Sequence, residues 1–119
     1  MTISDSALFN VDINNYNGPL DVLLDLAKAQ KVDLAKISIT QLADQFIDFI
    51  DDAKKSSLDV ASEYLLMATW LAYLKSKLLL PIDDDENFEI KEVAEKLKLQ
   101  LKKLELIRLL SSQLLKKID

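Results

Sequence analysis

The sequence predicts an all-α protein made of three packed helices and a longer fourth helix. One glycine and two prolines in 119 residues leave few places for turns, so the elements must be few and long. Hydrophobic residues recur at three- and four-residue spacing, as they do on one face of a helix. Helix-start signals precede the periodic stretches. With 50% hydrophobic and 29% charged residues, the composition is that of one ordinary globular domain.

The composition argues against catalysis and against direct binding of nucleic acid. The chain has no histidine and no cysteine, which removes the commonest general base and all thiol chemistry. A net charge of −5 disfavours phosphate binding, which needs clustered lysine and arginine. We therefore predict no enzyme activity, no cofactor and no small-molecule substrate. The sequence shows no secretion signal and no apolar run near the ~18 residues of a membrane span, so we expect a cytoplasmic protein.

The first helix is predicted from Pro19 to Gln30. Pro19 suits the first helical position because its missing N–H is not needed there, and Asp21 lies where the helix dipole favours negative charge. Residues 9–16 alternate apolar and polar, a weak strand signal whose role stays open. The expected core positions of the first helix and of the link after it are Leu20, Leu23, Leu24, Ala27, Val32, Leu34 and Ile37.

The second helix is predicted from Ile39 to Ala53, where the periodicity is clearest. Ser38 and Gln41 form an S-x-x-Q capping box, in which each side chain satisfies a free backbone N–H. The apolar face comprises Ile39, Leu42, Ala43, Phe46, Ile47, Ile50 and Ala53. Calcium sites need a loop with a glycine turn. We therefore interpret the aspartates off the apolar face as a solvated surface: Asp44, Asp48, Asp51 and Asp52.

The third helix is predicted from Val60 to Leu80, with Asp59 as its N-cap. Pro81 disfavours a helical residue before it and so ends the helix. Lys75 falls on the core side, so its ammonium group must reach an acid or the solvent. The predicted core side comprises Val60, Ala61, Tyr64, Met67, Ala68, Leu71, Leu74, Leu78 and Leu79.

The opposite side of the third helix is also apolar, and we call it the outer stripe. Its large hydrophobic members are Leu66, Trp70, Tyr73 and Leu80, and the polar residues among them are Ser62, Thr69, Ser76 and Lys77. Two interpretations are open. The fourth helix could cover the stripe, or the helices of a partner could cover it, since small hydroxyl residues allow close approach and tryptophan and tyrosine are typical of interface hot spots.

The fourth helix is predicted to start near Phe88, after an acidic linker at residues 82–87, with Asn87 as its cap. One side of it carries Ile90, Val93, Ala94, Leu97, Leu101, Leu104, Ile107, Leu110 and Leu114. From periodicity alone, this side could pack back on the domain or bind a partner.

Two long segments resemble the bacterial kleisin family, segregation and condensation protein A. The first is YNGPLDVLLDLAKAQKVDLAKISITQLADQFIDFI, which resembles the F-x-G-P-L-D-L-L-L opening of that family. The second is ASEYLLMATWLAYLKSKLLLP, which resembles the signature A-x-E-F/Y-L-x-M-A-x-x-L-x-x-I/L-K-S-K/R-x-L-L-P. The resemblance runs in order from Tyr16 to Pro81. Small departures from the family pattern occur at Tyr16, Asn17, Val22 and Ala27.

The resemblance implies a set of partners and a cellular role. In this family the N-terminal helical domain docks on the coiled-coil neck of a structural-maintenance-of-chromosomes (SMC) ATPase. A middle segment binds a dimer of segregation and condensation protein B (ScpB), and a C-terminal winged helix binds the other ATPase head. The ring acts in chromosome condensation and partition. We therefore expect a cytoplasmic, nucleoid-associated protein that meets DNA only through the complex and that contacts no membrane.

The resemblance also implies a division of the chain. Residues 1–81 correspond to the domain that docks on the SMC neck, residues 82–87 to a linker, and residues 88–119 to the start of the segment that binds ScpB. No winged-helix pattern follows the fourth helix.

The resemblance supplies the partners, but the family motif does not say which side of the third helix faces out, so the candidate binding residues are assigned from the helical wheel. Those expected to bind the SMC neck are Ser62, Leu66, Thr69, Trp70, Tyr73, Ser76 and Lys77. Those expected to bind ScpB are Leu97, Leu101 and Leu104. The alternative function is a self-contained or self-associating four-helix bundle that buries the outer stripe internally.

Overall fold

The computed structural model describes residues 17–56, 59–80 and 83–118, and over these residues the protein is all-α, as predicted. Helix α1 spans Pro19–Lys28, a short 3₁₀ turn spans Leu34–Lys36, and α2 spans Ile39–Lys55. Helix α3 spans Ser62–Leu79, and α4 spans Asp84–Ile118. The strand signal in residues 9–16 lies outside the described residues.

Gly18 sets the start of α1. Its φ of 137° and ψ of 177° fall in a backbone region that is essentially restricted to glycine. Pro19 occupies the first helical position, as predicted. Asp21 accepts a hydrogen bond from the backbone N–H of Asn17 at 3.2 Å. The segment from Asn17 to Asp21 therefore forms a single helix-start unit.

Gln30 joins the end of α1 to the start of α2. Its Oε1 accepts a hydrogen bond from the backbone N–H of Ser38 at 2.8 Å, and its Nε2 donates to the Ser38 carbonyl at 3.1 Å. One of the two hydrogen bonds of the predicted capping box is therefore present. Ser38 Oγ does accept from the backbone N–H of Gln41 at 3.1 Å, but the side chain that returns to Ser38 is that of Gln30. Because Gln30 makes these contacts and Lys31 adopts a φ of 60°, α1 ends two residues before the predicted Gln30.

The core lies between α1, α2, α3 and the middle of α4, and most of its predicted members are buried. On α2, every predicted position except Ile47 is buried, and Phe46 stacks on Tyr64 with 6.4 Å between ring centroids. On α1 and the link that follows it, two positions differ from the prediction. Val32 is 49% exposed, whereas Val22 is 1% exposed because α1 also packs against α4.

The boundaries of α3 are close to those predicted, but its cap is different. The helix begins at Ser62 instead of Val60, and its N-cap is Ala61 instead of Asp59. Ala61 offers no side-chain oxygen, so the start of α3 has no side-chain cap. The helix ends at Leu79, one residue before the predicted Leu80. Leu79, expected in the core, is 65% exposed because it lies in the last turn.

Helix α4 begins at Asp84, four residues earlier than predicted. Most of the expected linker at residues 82–87 is therefore the first turn of this helix. Asp83 has the capping role that the sequence assigned to Asn87: its carboxylate accepts from the backbone N–H of Glu86 at 2.8 Å. Acidic residues favour this start because they complement the positive end of the helix dipole.

The middle of α4 packs back on the other helices. Ala94, Leu97 and Leu101 are 6%, 3% and 0% exposed. After Leu104, which is half-buried, the predicted apolar side continues into solvent, and Ile107, Leu110 and Leu114 are each more than half exposed. The reason is the direction in which the side chains point: at 3.6 residues per turn these three positions lie away from the side that carries Leu97 and Leu101, although α4 still contacts α1 as far along as Arg108.

Arg108 connects α4 to α1 through hydrogen bonds. Its guanidinium donates to Asp25 Oδ1 at 2.8 Å, to the Asp21 carboxylate, and to the Asp21 carbonyl at 3.2 Å. Burial opposes the charge, but the hydrogen bonds to Asp25 and Asp21 outweigh it and raise the pKa of Arg108. The helix-start unit of α1 is thus also the anchor point of α4.

Candidate functional site

Helix α3 has one buried side and one exposed side, and both are apolar. Tyr64, Leu71 and Leu74 are buried at 3%, 0% and 1% exposure, as predicted, and Met67 is half-buried against the core. On the outer stripe, Leu66 is 70% exposed and Tyr73 is 57% exposed. The structure therefore contradicts the interpretation in which the fourth helix covers the outer stripe.

Trp70 is the most sheltered large member of the outer stripe, at 38% exposure. It lies on an open groove of about 370 Å³ between α3 and α4, with Leu66 and Met67 on one wall and Leu97 and Gln100 on the other. The groove therefore continues the apolar surface of the outer stripe toward α4.

The small hydroxyl residues of the outer stripe leave room beside the aromatic rings. Ser62, Thr69 and Ser76 are all exposed. Thr69 Oγ1 donates to the carbonyl of Leu65 at 3.0 Å, so its hydroxyl proton is already satisfied within the helix. A helix packed on this surface would not have to supply an acceptor for that hydroxyl.

Lys77 lies at one end of the outer stripe. Its Nζ lies 5.6 Å from the centroid of the Tyr73 ring and 3.0 Å from Glu86 Oε1. The hydrogen bond and the charge of Glu86 raise the pKa of Lys77, with a smaller contribution from Tyr73. Sequence reasoning placed Glu86 in a linker and missed this contact. The signal available was the acidic run before Phe88, which also suits a helix N-terminus.

Lys75 behaves as the sequence predicted. It lies within the core side of α3, and its Nζ reaches Asp44 Oδ1 on α2 at 2.6 Å. Both side chains are partly exposed, so the pair lies at the rim of the core and adds little stability.

The leucines expected to bind ScpB belong to the core instead of the surface. Leu97 and Leu101 are covered by the chain's own helices, and Leu104 is half-buried. From periodicity, this side of α4 could pack on the domain or bind a partner. In the structure, this part of α4 packs on the domain. The reason is that α4 presents its smallest apolar residue, Ala94, and the two leucines on one side, which lets it approach the bundle closely.

In the part of the chain that the structure describes, no three carboxylates are grouped so that they could hold a metal ion. None of the described helices has both the length and the apolar character needed to cross a membrane.

The fold and this surface define a small all-α domain with an apolar helix face left uncovered. Comparison with known proteins gives the family. The family described as "Segregation and condensation protein ScpA" matches residues 26–115, most of the chain. The chain therefore belongs to the segregation and condensation protein A family, the bacterial kleisins.

Individual relatives carry the same name. The chain is 45% identical over 93 residues to segregation and condensation protein A of Mycoplasma mobile, covering 78% of this chain and 38% of that protein. It is 40% identical over 87 residues to that of Halalkalibacterium halodurans, covering 71% and 34%, and 37% identical over 91 residues to that of Myxococcus xanthus, covering 73% and 32%. The chain thus spans about a third of the length of these curated relatives.

Proposed function

We propose that this chain is the N-terminal part of a kleisin subunit that acts in chromosome condensation and segregation, and that its α3 docks on the coiled-coil neck of an SMC ATPase. The observation that supports the docking is the outer stripe: Leu66 and Tyr73 stay more than half exposed in a chain of this family. With a net charge of −5, the domain would meet DNA only through the complex. The proposed location is the cytoplasm, in association with the nucleoid.

The physical basis of docking is burial of apolar side chains that the domain leaves in water. Trp70 and Tyr73 combine large apolar area with a polar tip, the composition of interface hot spots. Ser62, Thr69 and Ser76 permit a neighbouring helix to come close. Lys77, held over Tyr73 by Glu86, limits the positions that the ring can take at one end of the stripe.

Affinity measurements with a headed fragment of the cognate ATPase that carries its neck test the docking. Trp70→Ala and Tyr73→Ala should each weaken binding by about 2 kcal/mol or more, as hot-spot aromatics do. Leu66→Glu should act more strongly, because it leaves an unpaired charge in the interface. The melting temperature of each free variant should stay close to that of the original chain.

Leu79→Ala is the matched control for this experiment. Leu79 is 65% exposed on the same helix but lies away from the outer stripe, so its removal should leave neck affinity unchanged. If Trp70→Ala unfolds the free domain and lowers affinity only as a consequence, the docking assignment is wrong, while membership of the family is unaffected.

We further propose that α4 contributes Leu97, Leu101 and Leu104 to the binding of ScpB after it leaves the domain. Two of these residues are buried, so a partner can reach them only if it replaces the contacts of α4 with the bundle. If ScpB binds only molecules in which α4 is detached from the bundle, its apparent affinity is reduced by the fraction of molecules in that state. Contacts that hold α4 in place, above all those of Arg108, should therefore oppose binding.

Calorimetric titration with ScpB tests this coupling. Arg108→Gln removes the hydrogen bonds to Asp21 and Asp25 and should strengthen binding, by about tenfold for each ~1.4 kcal/mol taken from the packed state. Lys102→Gln, at an exposed position of the same helix, removes the same charge and is the control. Weaker binding by Arg108→Gln than by Lys102→Gln would show that ScpB recognises α4 in its packed position or another part of the chain.

A further inference from the structure

A second open groove lies between the first residues of α1 and the C-terminal half of α4, with a volume of about 550 Å³. Two large apolar residues of α4, Ile107 and Leu115, line it and are 58% and 65% exposed. The proposed function uses neither of them. We call this cavity the α1–α4 groove, and the lining residues that matter below are Asn17, Asp21, Ile107, Arg108, Leu115 and Lys116.

Leu115 points in the same direction as a core residue of α4. Leu97 and Leu115 are 18 residues apart, which is five full turns at 3.6 residues per turn. Leu97 is 3% exposed because α4 packs on the bundle there, whereas Leu115 is 65% exposed. The side of α4 that faces the core therefore continues beyond Arg108, where the described residues leave Leu115 largely in solvent.

The chain that precedes α1 starts at the edge of this groove. Asn17 lines the groove, and its backbone N–H donates to Asp21, which also accepts from Arg108. An extended chain rises about 3.3 Å per residue, so residues 9–16 can reach about 26 Å from Asn17. The groove follows α4 from residue 104 to residue 116, about 18 Å at 1.5 Å per residue. Residues 9–16 are therefore long enough to cover it.

The apolar residues of this segment have the spacing that such a groove requires. In the sequence FNVDINNY, Phe9, Val11 and Ile13 alternate with polar residues. An extended chain places alternate side chains on opposite faces, so all three would share one face. A single apolar face that starts beside an exposed apolar groove has a surface within reach on which it can be buried.

The charges of the segment and of the groove are also complementary. Residues 9–16 contain one acidic residue, Asp12, and no lysine or arginine. In the groove, Arg108 is paired with Asp21 and Asp25, whereas Lys116 makes no ion pair within the described part of the chain. A segment with a negative charge therefore complements Lys116.

We propose that residues 9–16 of this chain lie in the α1–α4 groove, with their apolar face against Ile107 and Leu115. The covalent link at Asn17 makes the contact intramolecular, so a surface too small to hold a separate molecule can still be occupied. Docking removes apolar side chains of both surfaces from water and holds the C-terminal half of α4 beside α1. The outer stripe of α3 takes no part in it, so the proposal does not rest on the proposed function.

Methyl NMR spectroscopy of the 119-residue chain tests the docking. With labelled valine, leucine and isoleucine methyl groups, we expect nuclear Overhauser effects from Val11 or Ile13 to Ile107 or Leu115, which arise only between groups a few ångströms apart. Absence of these effects overturns the proposal. In a mixture of labelled and unlabelled chains, effects that arise between copies instead of within one chain would overturn the assignment to the chain's own segment.

A double-mutant cycle tests whether the contact stabilises the fold. Leu115→Ala should raise the equilibrium constant for unfolding by about fivefold or more, because residues in contact are coupled. In a chain that carries Phe9→Ser, Val11→Ser and Ile13→Ser, the same change should have less than about a twofold effect, as at other exposed positions. Leu114→Ala is the matched control, since Leu114 is 62% exposed and lies on another side of α4, and its effect should be below about twofold in both chains. Equal effects of Leu115→Ala in the two chains would overturn the proposal.

Discussion

Helices α2 and α3 have nearly the same length, 17 and 18 residues, but they use their apolar residues differently. Helix α2 buries six residues on one face and presents aspartates to solvent. Helix α3 buries only Tyr64, Leu71 and Leu74 and leaves Leu66, Trp70 and Tyr73 exposed. The apolar content of α2 is thus explained by the core of its own domain. That of α3 exceeds what the core uses, and the excess forms the outer stripe.

The two helices also differ at their first residues. The start of α2 is held by Ser38, whose hydroxyl binds the backbone N–H of Gln41 and whose backbone is bound by Gln30. The N-cap of α3 is Ala61, which provides no side-chain cap. The local sequence thus stabilises α2 at its first turn, whereas α3 depends on packing along its buried side.

The largest expected effect distinguishes the two sides of α3. Leu71→Ala should lower the free energy of unfolding by about 2–5 kcal/mol, because the side chain is fully buried. Leu66→Ala, the same change on the exposed side, should alter it by less than about 0.5 kcal/mol. Chemical denaturation of both variants measures the difference. Equal losses would show that the outer stripe is part of the core.

The next effect concerns the cap of α2. Ser38→Ala should destabilise the domain by about 1 kcal/mol, since it leaves the backbone N–H of Gln41 without its partner. Thr40→Ala serves as the control, because the Thr40 hydroxyl contacts only Ser38 Oγ among the hydrogen bonds described at this helix start. An unfolding midpoint for Ser38→Ala that matches the original chain would contradict the cap.

The start of α3 allows the reverse experiment. Ala61→Ser should stabilise the domain by about 0.5–1 kcal/mol, because residue 61 is exposed and already has the extended backbone of an N-cap. Asp59→Ala tests the cap that sequence reasoning chose and should have little effect. If Asp59→Ala proved the more costly change, the boundary of α3 would lie two residues earlier.

The smallest effect appears at alkaline pH. Burial raises the pKa of Tyr64 above the usual 10.0, and the charges of Glu63 and Asp21 add to the shift. Since the folded pKa is above the unfolded one, this contribution to stability is complete below about pH 10 and is lost as the pH rises through the folded pKa. Tyr64→Phe keeps the ring packed on Phe46 and should reduce this loss, as measured by denaturation at several pH values. An identical decline in both proteins would rule out Tyr64 as its source.

Much of this protein was determined by the sequence itself. The positions of the helices follow from periodicity and from local start signals, which act within a few residues and need no knowledge of the fold. The burial of Tyr64, Leu71 and Leu74 and the ion pair of Lys75 follow from the geometry of a single helix. The same geometry separated the outer stripe from the core side.

Only the tertiary structure decided how the fourth helix is used and which polar groups meet. Leu97 and Leu101 were predicted to lie on one side of α4 with Leu110 and Leu114, yet the first pair is buried and the second exposed, because the bundle contacts only the side of α4 that carries the first pair. Gln30 replaced Gln41 beside Ser38, and Glu86 reached Lys77, through contacts between residues eight and nine apart on different elements. The bond from Arg108 to Asp21 joins residues 87 apart. Such contacts depend on how helices pack against one another, and no local pattern in the sequence encodes that packing.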